Sequence, residues 1–520
     1  MTQKSSKSLL SNAGLVGGAT LASRVTGFGR DIFLAALLGA GPLAEIFVIA
    51  FRLPNLFRRL FAEGAFNAAF VPLFTKRLES EGEASALAFA GRILAVLLAA
   101  LCVFTLLAQI FMPALVLALA QGFSGDAAKF EAAVHYARIS FPYLIFMSLM
   151  SLFAAMLNAT GRFFAAAFAP ILLNLVLIGA MGLAVAHRGA PLDYIVWGVA
   201  LAGFVQFAFV FIAAWRARLR VALVAPKITP EVKSVWLLAV PGILAAGIGQ
   251  INLLVGTSIA TGQAGAAAWL YYADRLYQLP MGVIGVAMSV ALLPELSRRL
   301  AANQVQQAHE SQSTAVLAAG FLTLPAAAGL FVLAEPIISL LFERGAFTRQ
   351  DTAITAQLLQ AFCLGLPAFV FIKALQPSFF ARQDTRAPFI DGAIGVAVNV
   401  SLSLSLFPIY GAIAIALATV AAGYVTLTLM LVRLATRDVW HFRGLVLARL
   451  LAQSLAAALM AGALLQAMQV APLPEQNLAI WLASLIGLGG LVFFLSALVL
   501  GGVPRQTVFD ALARLRRRQR

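Results

Sequence analysis

Glu45, Arg52 and Arg59 recur at seven-residue intervals, and Glu63 follows Arg59 by four. On a helix this spacing gathers the first three on one face and brings the last pair within side-chain reach. Arg58 lies beside Arg59, and Pro54 interrupts the same stretch, freeing a backbone carbonyl among the charges. An earlier apolar segment carries Arg24 and Asp31, also seven apart, with Arg30 next to the acid. Later apolar segments carry Asp274-Arg275, Lys373 and Asp391, so bases outnumber acids seven to five in the whole set. An ionised side chain at the centre of a membrane helix costs about 2.5–3.5 kcal/mol, so each of these groups needs a partner, water or a task. Guanidinium forks match pairs of phosphate or carboxylate oxygens, and a cavity with excess arginine attracts a polyanion. Snorkelling or structural ion pairing covers Arg30–Asp31 and Lys373 taken singly, but accounts poorly for the second segment. The chemistry on offer is anion binding within a membrane.

The elements that must position these groups follow from composition. The 520 residues are 62% hydrophobic and 11% charged, with a mean hydropathy of +0.93, which excludes a soluble multidomain protein. The apolar runs are continuous rather than alternating, which argues against a β-barrel. A net charge of +16 could suggest nucleic acid, but the charges sit between and inside hydrophobic segments, so no nucleic-acid partner is expected. Cys102 and Cys363 are distant and read as buried small hydrophobes, and the four histidines are scattered, so neither a metal site nor a cofactor is expected. The N-terminal stretch carries Arg24, Arg30 and Asp31 and reads as a retained first helix rather than a cleaved signal.

Cutting the chain at Gly, Pro and charge clusters leaves about fourteen segments long enough to span a bilayer, from residues 10–39 to 478–502. With the N-terminus placed inside, about 25 of the basic residues fall in inside connections and about four outside. The inside set includes Lys76, Arg77, Arg216–Lys233, Arg298, Arg382, Arg433 and the tail Arg514–Arg520; the outside set is Lys129, Arg188, Arg344 and Arg349. Both termini are therefore expected in the cytoplasm, and the basic tail reads as a topology anchor or anionic-lipid contact.

Two halves of the chain share their punctuation. Val71-Pro72-Leu73 before Lys76-Arg77 is echoed by Leu293-Pro294-Glu295 before Arg298-Arg299; Pro113 is echoed by Pro336, Phe141-Pro142 by Leu366-Pro367, and Asn174 by Asn399. The offset stays near 224 residues, roughly six spans, so the copies run parallel about an axis near the membrane normal. The expected organisation is a first lobe at 1–220, a second at 221–440, and two extra helices with a basic tail at 441–520. This is an all-α integral membrane fold with two six-helix lobes and the substrate path between them. Spans 2 and 8 are equivalent in the repeat, and both carry Arg-Leu, at Arg52-Leu53 and Arg275-Leu276.

Three motifs resemble a known family. They are Ser23-Arg24-Val25-Thr26-Gly27-Phe28-Gly29-Arg30-Asp31, Phe51-Arg52-Leu53-Pro54-Asn55-Leu56-Phe57-Arg58-Arg59-Leu60-Phe61-Ala62-Glu63-Gly64, and Tyr271-Tyr272-Ala273-Asp274-Arg275-Leu276. All three are similar to the MurJ (MviN) family of lipid II flippases, within the multidrug/oligosaccharidyl-lipid/polysaccharide exporter superfamily. Phe342-Glu343-Arg344-Gly345-Ala346-Phe347 and Phe380-Ala381-Arg382-Gln383-Asp384 extend the resemblance along the chain. It implies fourteen helices, two lobes in a V around a central cationic cavity, and a groove on the last two helices for the undecaprenyl tail. By motif position it implies that Arg24, Arg30, Arg52, Arg58, Arg59 and Arg275 bind the pyrophosphate and peptide carboxylates of lipid II. Asp31, Glu45, Glu63 and Asp274 would then position these guanidinium groups or gate the lobes. Glu45 stands where members often have Asp, and Gln278 where some have an acid.

The function so implied is lipid II transfer from the inner to the outer leaflet of the bacterial cytoplasmic membrane, by a monomer acting through alternating access. No nucleotide-binding loop is present, so an ion gradient or the membrane potential has to drive the cycle. A flippase for another polyprenyl-linked glycan is the first alternative. A drug or cation antiporter of the same superfamily is the second, and it predicts an acidic cavity. A membrane-embedded glycan polymerase is disfavoured, since the acids in short loops, Asp126 and Asp351, read as helix starts.

Overall fold

The computed structural model describes residues 2–61, 65–441, 444–472, 474 and 477–503, with side chains from 14 onward except 60–61, 65–68, 241–246 and 248. Glu63 and the basic run Arg514–Arg520 lie outside the described residues. Among those described, the regular structure is entirely helical. The chain forms two compact units, residues 1–268 with 344–347, and residues 269–343 with 348–520.

The first unit contains α1 (Thr2–Leu38), α2 (Pro42–Phe61), α3 (Ala65–Ser80), α4 (Glu83–Ile110), α5 (Met112–Leu119), α6 (Ala127–Ser140), α7 (Tyr143–Ala159), α8 (Phe164–His187), α9 (Pro191–Arg216) and α10 (Pro230–Ala260). The second contains α11 (Ala266–Pro280, whose first residues belong to the first unit), α12 (Val286–Ala301), α13 (Val305–Val332), α14 (Ala334–Phe342), α15 (Arg349–Phe380), α16 (Arg386–Tyr410), α17 (Ala412–Thr436), α18 (Gly444–Val470) and α19 (Leu478–Val499). Eleven described helices or helix pairs are long and apolar enough to cross a membrane. Every apolar segment read from the sequence coincides with one helix or with two successive helices.

Two of the breaks follow prolines whose freed carbonyls have partners. Pro113 cannot donate to the Gln109 carbonyl, and Pro142 cannot donate to that of Arg138. Gln109 and Arg138 satisfy each other instead: Arg138 Nε donates to the Gln109 carbonyl at 3.2 Å, and Gln109 Nε2 to the Arg138 carbonyl at 2.9 Å. The repeat partner of Pro113, Pro336, likewise follows a break at Leu333, between α13 and α14. Span 8 is broken after Pro280 by a π-turn at Met281–Gly285, whose Gly285 packs against the stem of Lys373.

Each unit has its own core. In the first, Phe47 stacks on Phe51, which in turn meets Tyr143 of α7. In the second, α15 is buried along much of its length, through Leu358, Leu359, Leu366 and Leu375. The helices α18 and α19 pack on α13 through Met460, Leu464, Leu482 and Phe493. Large apolar side chains such as Val103, Leu106, Trp197 and Leu491 point outward, as lipid permits. Cys102, expected to be buried, is exposed on α4 for the same reason, whereas Cys363 is buried. Asp126 caps α6 by accepting from the Lys129 N–H, and Asp351 forms a capping box with Thr348, so both acids do start helices.

Residues 344–347 pack in the first unit although the chain on either side belongs to the second. The Ala346 N–H donates to the Ala36 carbonyl at 2.8 Å, and Gly345, at φ +59°, leaves no room for a Cβ against that same carbonyl. Gly82 has φ +86° but open space around it. Alanine at either position meets a positive-φ backbone penalty of about 1–3 kcal/mol, and only Gly345→Ala adds a clash. Gly345→Ala is therefore expected to lower the thermal midpoint in detergent clearly more than Gly82→Ala. Equal losses would mean that the approach to Ala36 contributes nothing.

Candidate functional site

The charged residues of α1 and α2 are distributed among several distinct environments. On α1, Arg30 and Asp31 are 8% and 3% exposed and pair at 2.7 Å. Arg30 also donates through Nη1 to Asn174 Oδ1 of α8 at 3.0 Å. Arg24 is half-buried on the same helix. On α2, burial falls along the predicted face, with Glu45 fully buried, Arg52 half-buried and Arg59 exposed. Arg58 is half-buried and donates through Nε to Asn55 Oδ1 at 3.1 Å.

Glu45 is held by a residue that sequence reasoning had assigned only to a loop. Lys129 Nζ of α6 reaches Glu45 Oε2 at 2.5 Å and lies 4.1 Å over the Phe123 ring. Arg52 Nη1 donates to Thr257 Oγ1 of α10, whose own hydroxyl donates to the Leu253 carbonyl. The carbonyl of Ala50, freed by Pro54, accepts from Ser140 Oγ at 2.8 Å. The interruption expected at Pro54 is not seen: α2 runs through it, because the one carbonyl the proline frees is answered by a neighbouring helix.

The helix α10 is fastened within the first unit at both ends. Glu231 pairs with Arg77 at 3.2 Å and Arg92 at 2.8 Å near its start, and Thr261, just past its end, accepts from the Gly122 N–H at 3.1 Å. In the second unit, Arg275 is half-buried over the Tyr271 ring at 4.6 Å and donates to the Tyr271 hydroxyl at 3.1 Å. Asp274 accepts from Gln278 Nε2. Asp391, grouped with the cavity charges on sequence grounds, is a structural residue: it is fully buried and bidentate on Arg433 of α17, at 2.7 and 3.2 Å. An open concavity of about 540 Å³ beside α3 is lined by Lys76 and Glu79 and touches none of the candidate residues, so it is a surface feature.

Lys129, Thr257 and Asn174 were missed as partners of the candidate charges. A lone Asn inside the apolar run of α8 was a readable signal. The other two pair across long sequence separations that no local spacing reveals.

Long apolar helices, with arginines buried or half-buried among helices, mark a polytopic membrane protein. A solved structure titled "Lipid II flippase MurJ, inward closed conformation" matches with a TM-score of 0.79 at 25% identity, covering 93% of this chain and 98% of the other. An inward-facing multidrug resistance MATE family transporter matches with a TM-score of 0.68 at 16% identity over 80% of this chain and 94% of the other, which shows the fold alone. The family model described as lipid II flippase MurJ matches residues 34–474. A Rhizobium meliloti protein named "Probable lipid II flippase MurJ" is 46% identical over 98% of this chain and 97% of its own length. "Lipid II flippase MurJ" of Burkholderia cenocepacia is 36% identical over 76% of this chain and 78% of its own length. The chain belongs to the MurJ lipid II flippase family.

Removing one partner of a buried ion pair typically costs about 3–5 kcal/mol, whereas replacing both by apolar groups of similar volume is often near neutral. Glu45→Ala and Lys129→Ala should each lower the thermal midpoint in detergent sharply, and Glu45→Leu with Lys129→Met should recover most of the loss. A double variant as unstable as the worse single one would show that the pair does more than cancel two charges.

Proposed function

We propose that this chain moves lipid II from the cytoplasmic to the outer leaflet of the bacterial inner membrane. Family membership over residues 34–474 carries the reading. The cargo is an undecaprenyl pyrophosphate bearing a disaccharide-peptide, whose head group cannot cross hydrocarbon because its polar groups would lose water without replacement. The protein's task is to line a path for that head group while the tail stays in lipid. No bond is made or broken, and the family is one of transporters rather than enzymes.

In this reading the chain crosses the membrane fourteen times, with both termini in the cytoplasm and lobes at 1–220 and 221–440. Residues 441–520 carry the pair α18 and α19, whose outward apolar faces suit the undecaprenyl tail. Arg24, Arg30, Arg52, Arg58, Arg59 and Arg275 meet the pyrophosphate and peptide carboxylates; Asp31, Glu45, Glu63 and Asp274 set the position of those groups or gate the path. The half-buried setting of Arg24, Arg52, Arg58 and Arg275 supports this, because such groups keep an accessible edge without full desolvation. The protein acts as a monomer, and rocking of the lobes is driven by a coupling ion or by the membrane potential, worth about 2.3 kcal/mol per charge per 100 mV. The basic excess in the candidate set disfavours a drug or cation antiporter, which needs an acidic path.

Depleting the protein in a host without a redundant flippase should abolish exposure of lipid II head groups on the outer face, with lipid II accumulating in the inner leaflet. Wild type should restore exposure, whereas Arg52→Ala and Arg275→Ala should insert normally and fail to restore it. Unchanged exposure after depletion would transfer the assignment to another polyprenyl-linked glycan. Full rescue by both variants would reject the arginine path.

A further inference from the structure

We propose that Asn174 is a positioning residue for the cationic site: its amide sets the guanidinium of Arg30 and fixes the charged segment of α1 against α8. The inference rests on the reading of Arg30 as a head-group contact and names the residue that keeps it in place.

Asn174 is 4% exposed in the middle of α8. Its Nδ2 donates to the Ser23 carbonyl at 3.0 Å and to Thr26 Oγ1 at 3.1 Å, while its Oδ1 accepts from Arg30 Nη1 at 3.0 Å. Both N–H donors and the carbonyl are therefore engaged, and only one orientation of the amide works, because the flipped form would aim an NH₂ at the guanidinium. Thr26 extends the chain of bonds by donating to the Ala22 carbonyl at 2.9 Å.

The contacts fall at Ser23, Thr26, Gly27 and Arg30, one face of α1 at helical spacing. Gly27 belongs to the set because a Cβ there would lie 3.3 Å from Asn174 Nδ2, tight enough to displace the amide. Arg24, one residue on from Ser23, is turned about 100° from this face, so it does not compete for the amide. Asp31 holds another edge of the same guanidinium, through Nε at 3.1 Å and Nη2 at 2.7 Å. One carboxylate could hold Arg30 in several orientations; the amide on a different helix selects one. With Nε and Nη2 given to Asp31 and Nη1 to Asn174, the guanidinium is a charge fixed in place, which is what positioning an incoming phosphate requires.

The test is a double-mutant cycle on the full-length protein in detergent, reading the binding of purified lipid II together with the thermal midpoint. Asn174→Ala and Arg30→Ala should each weaken binding by about tenfold, the scale of one charge-assisted hydrogen bond. The double variant should bind no more weakly than Arg30→Ala alone. Gly27→Ala, which moves the amide without deleting it, should give a smaller loss in the same direction. Losses that multiply in the double variant would overturn the proposal, since a merely structural asparagine acts independently of Arg30. Unchanged binding by Asn174→Ala at a normal thermal midpoint would do the same. Unchanged binding by Arg30→Ala would instead remove Arg30 from the head-group site, and the proposal with it, while leaving the flippase assignment to the depletion experiment. If Asn174→Ala fails to fold, Gly27→Ala and its double with Arg30→Ala complete the cycle.

Discussion

Hydrocarbon offers no hydrogen bonds, so every helix break and every charge at membrane depth has to be answered from within the chain. In water an interrupted helix can leave its carbonyls to solvent; here the carbonyls freed by Pro54, Pro113 and Pro142 each have a side chain assigned to them. Gln109 and Arg138 exchange bonds across the ends of α4 and α6, and Ser140 fills the carbonyl opened by Pro54. These bonds make the kinks affordable, and the kinks in turn shape the helices that carry the charges. The fold and the candidate site answer to one constraint.

The same constraint sorts the charges into two kinds. Asp391 with Arg433, and Glu45 with Lys129, are deeply buried acids matched by a base on another helix, with short distances and little exposure at the carboxylate. Such pairs hold helices together and lose much if one partner is removed. Along α2 the burial then falls from Glu45 through Arg52 to Arg59. A helix anchored by its acid at one end can present its bases at the other with little loss of order. The seven-residue spacing is therefore a gradient from structural anchor to accessible cation, a distinction that spacing alone does not make.

Much of the fold was legible because hydropathy and proline report local physics. The apolar segments and the helix starts at Asp126 and Asp351 follow from residues within a few positions of each other. What stayed hidden depends on packing between distant segments. Lys129 looked like a loop base yet closes the pair with Glu45, and Asp391 looked like a cavity acid yet belongs to Arg433. Cys102 misled for another reason: burial was inferred from apolarity, and in a bilayer an apolar residue gains nothing from being inside. The arginine motifs were readable as anion chemistry because no apolar core explains them, but the partner Thr257 was not.

The helix α10 connects these themes to transport. By the sequence repeat it opens the second copy, yet it is tied to α3 and α4 through Glu231, to α2 through Thr257, and to the turn at Gly122 through Thr261. Beside the apolar packing of Val232, Val235 and Ala239, these polar contacts are exchangeable in a way that the interdigitated core around α15 is not. Close-packed cores resist continuous deformation, so a conformational cycle is easier to run through contacts of this kind. Arg52 sits at one of them, with one of the two Nη1 N–H donors given to Thr257. On the flippase reading, a phosphate oxygen that takes that donor competes directly with Thr257. Head-group binding and the hold on α10 then draw on one hydrogen bond. A ligand shifts a conformational equilibrium only by its differential affinity for the two states, and a shared donor supplies such a difference.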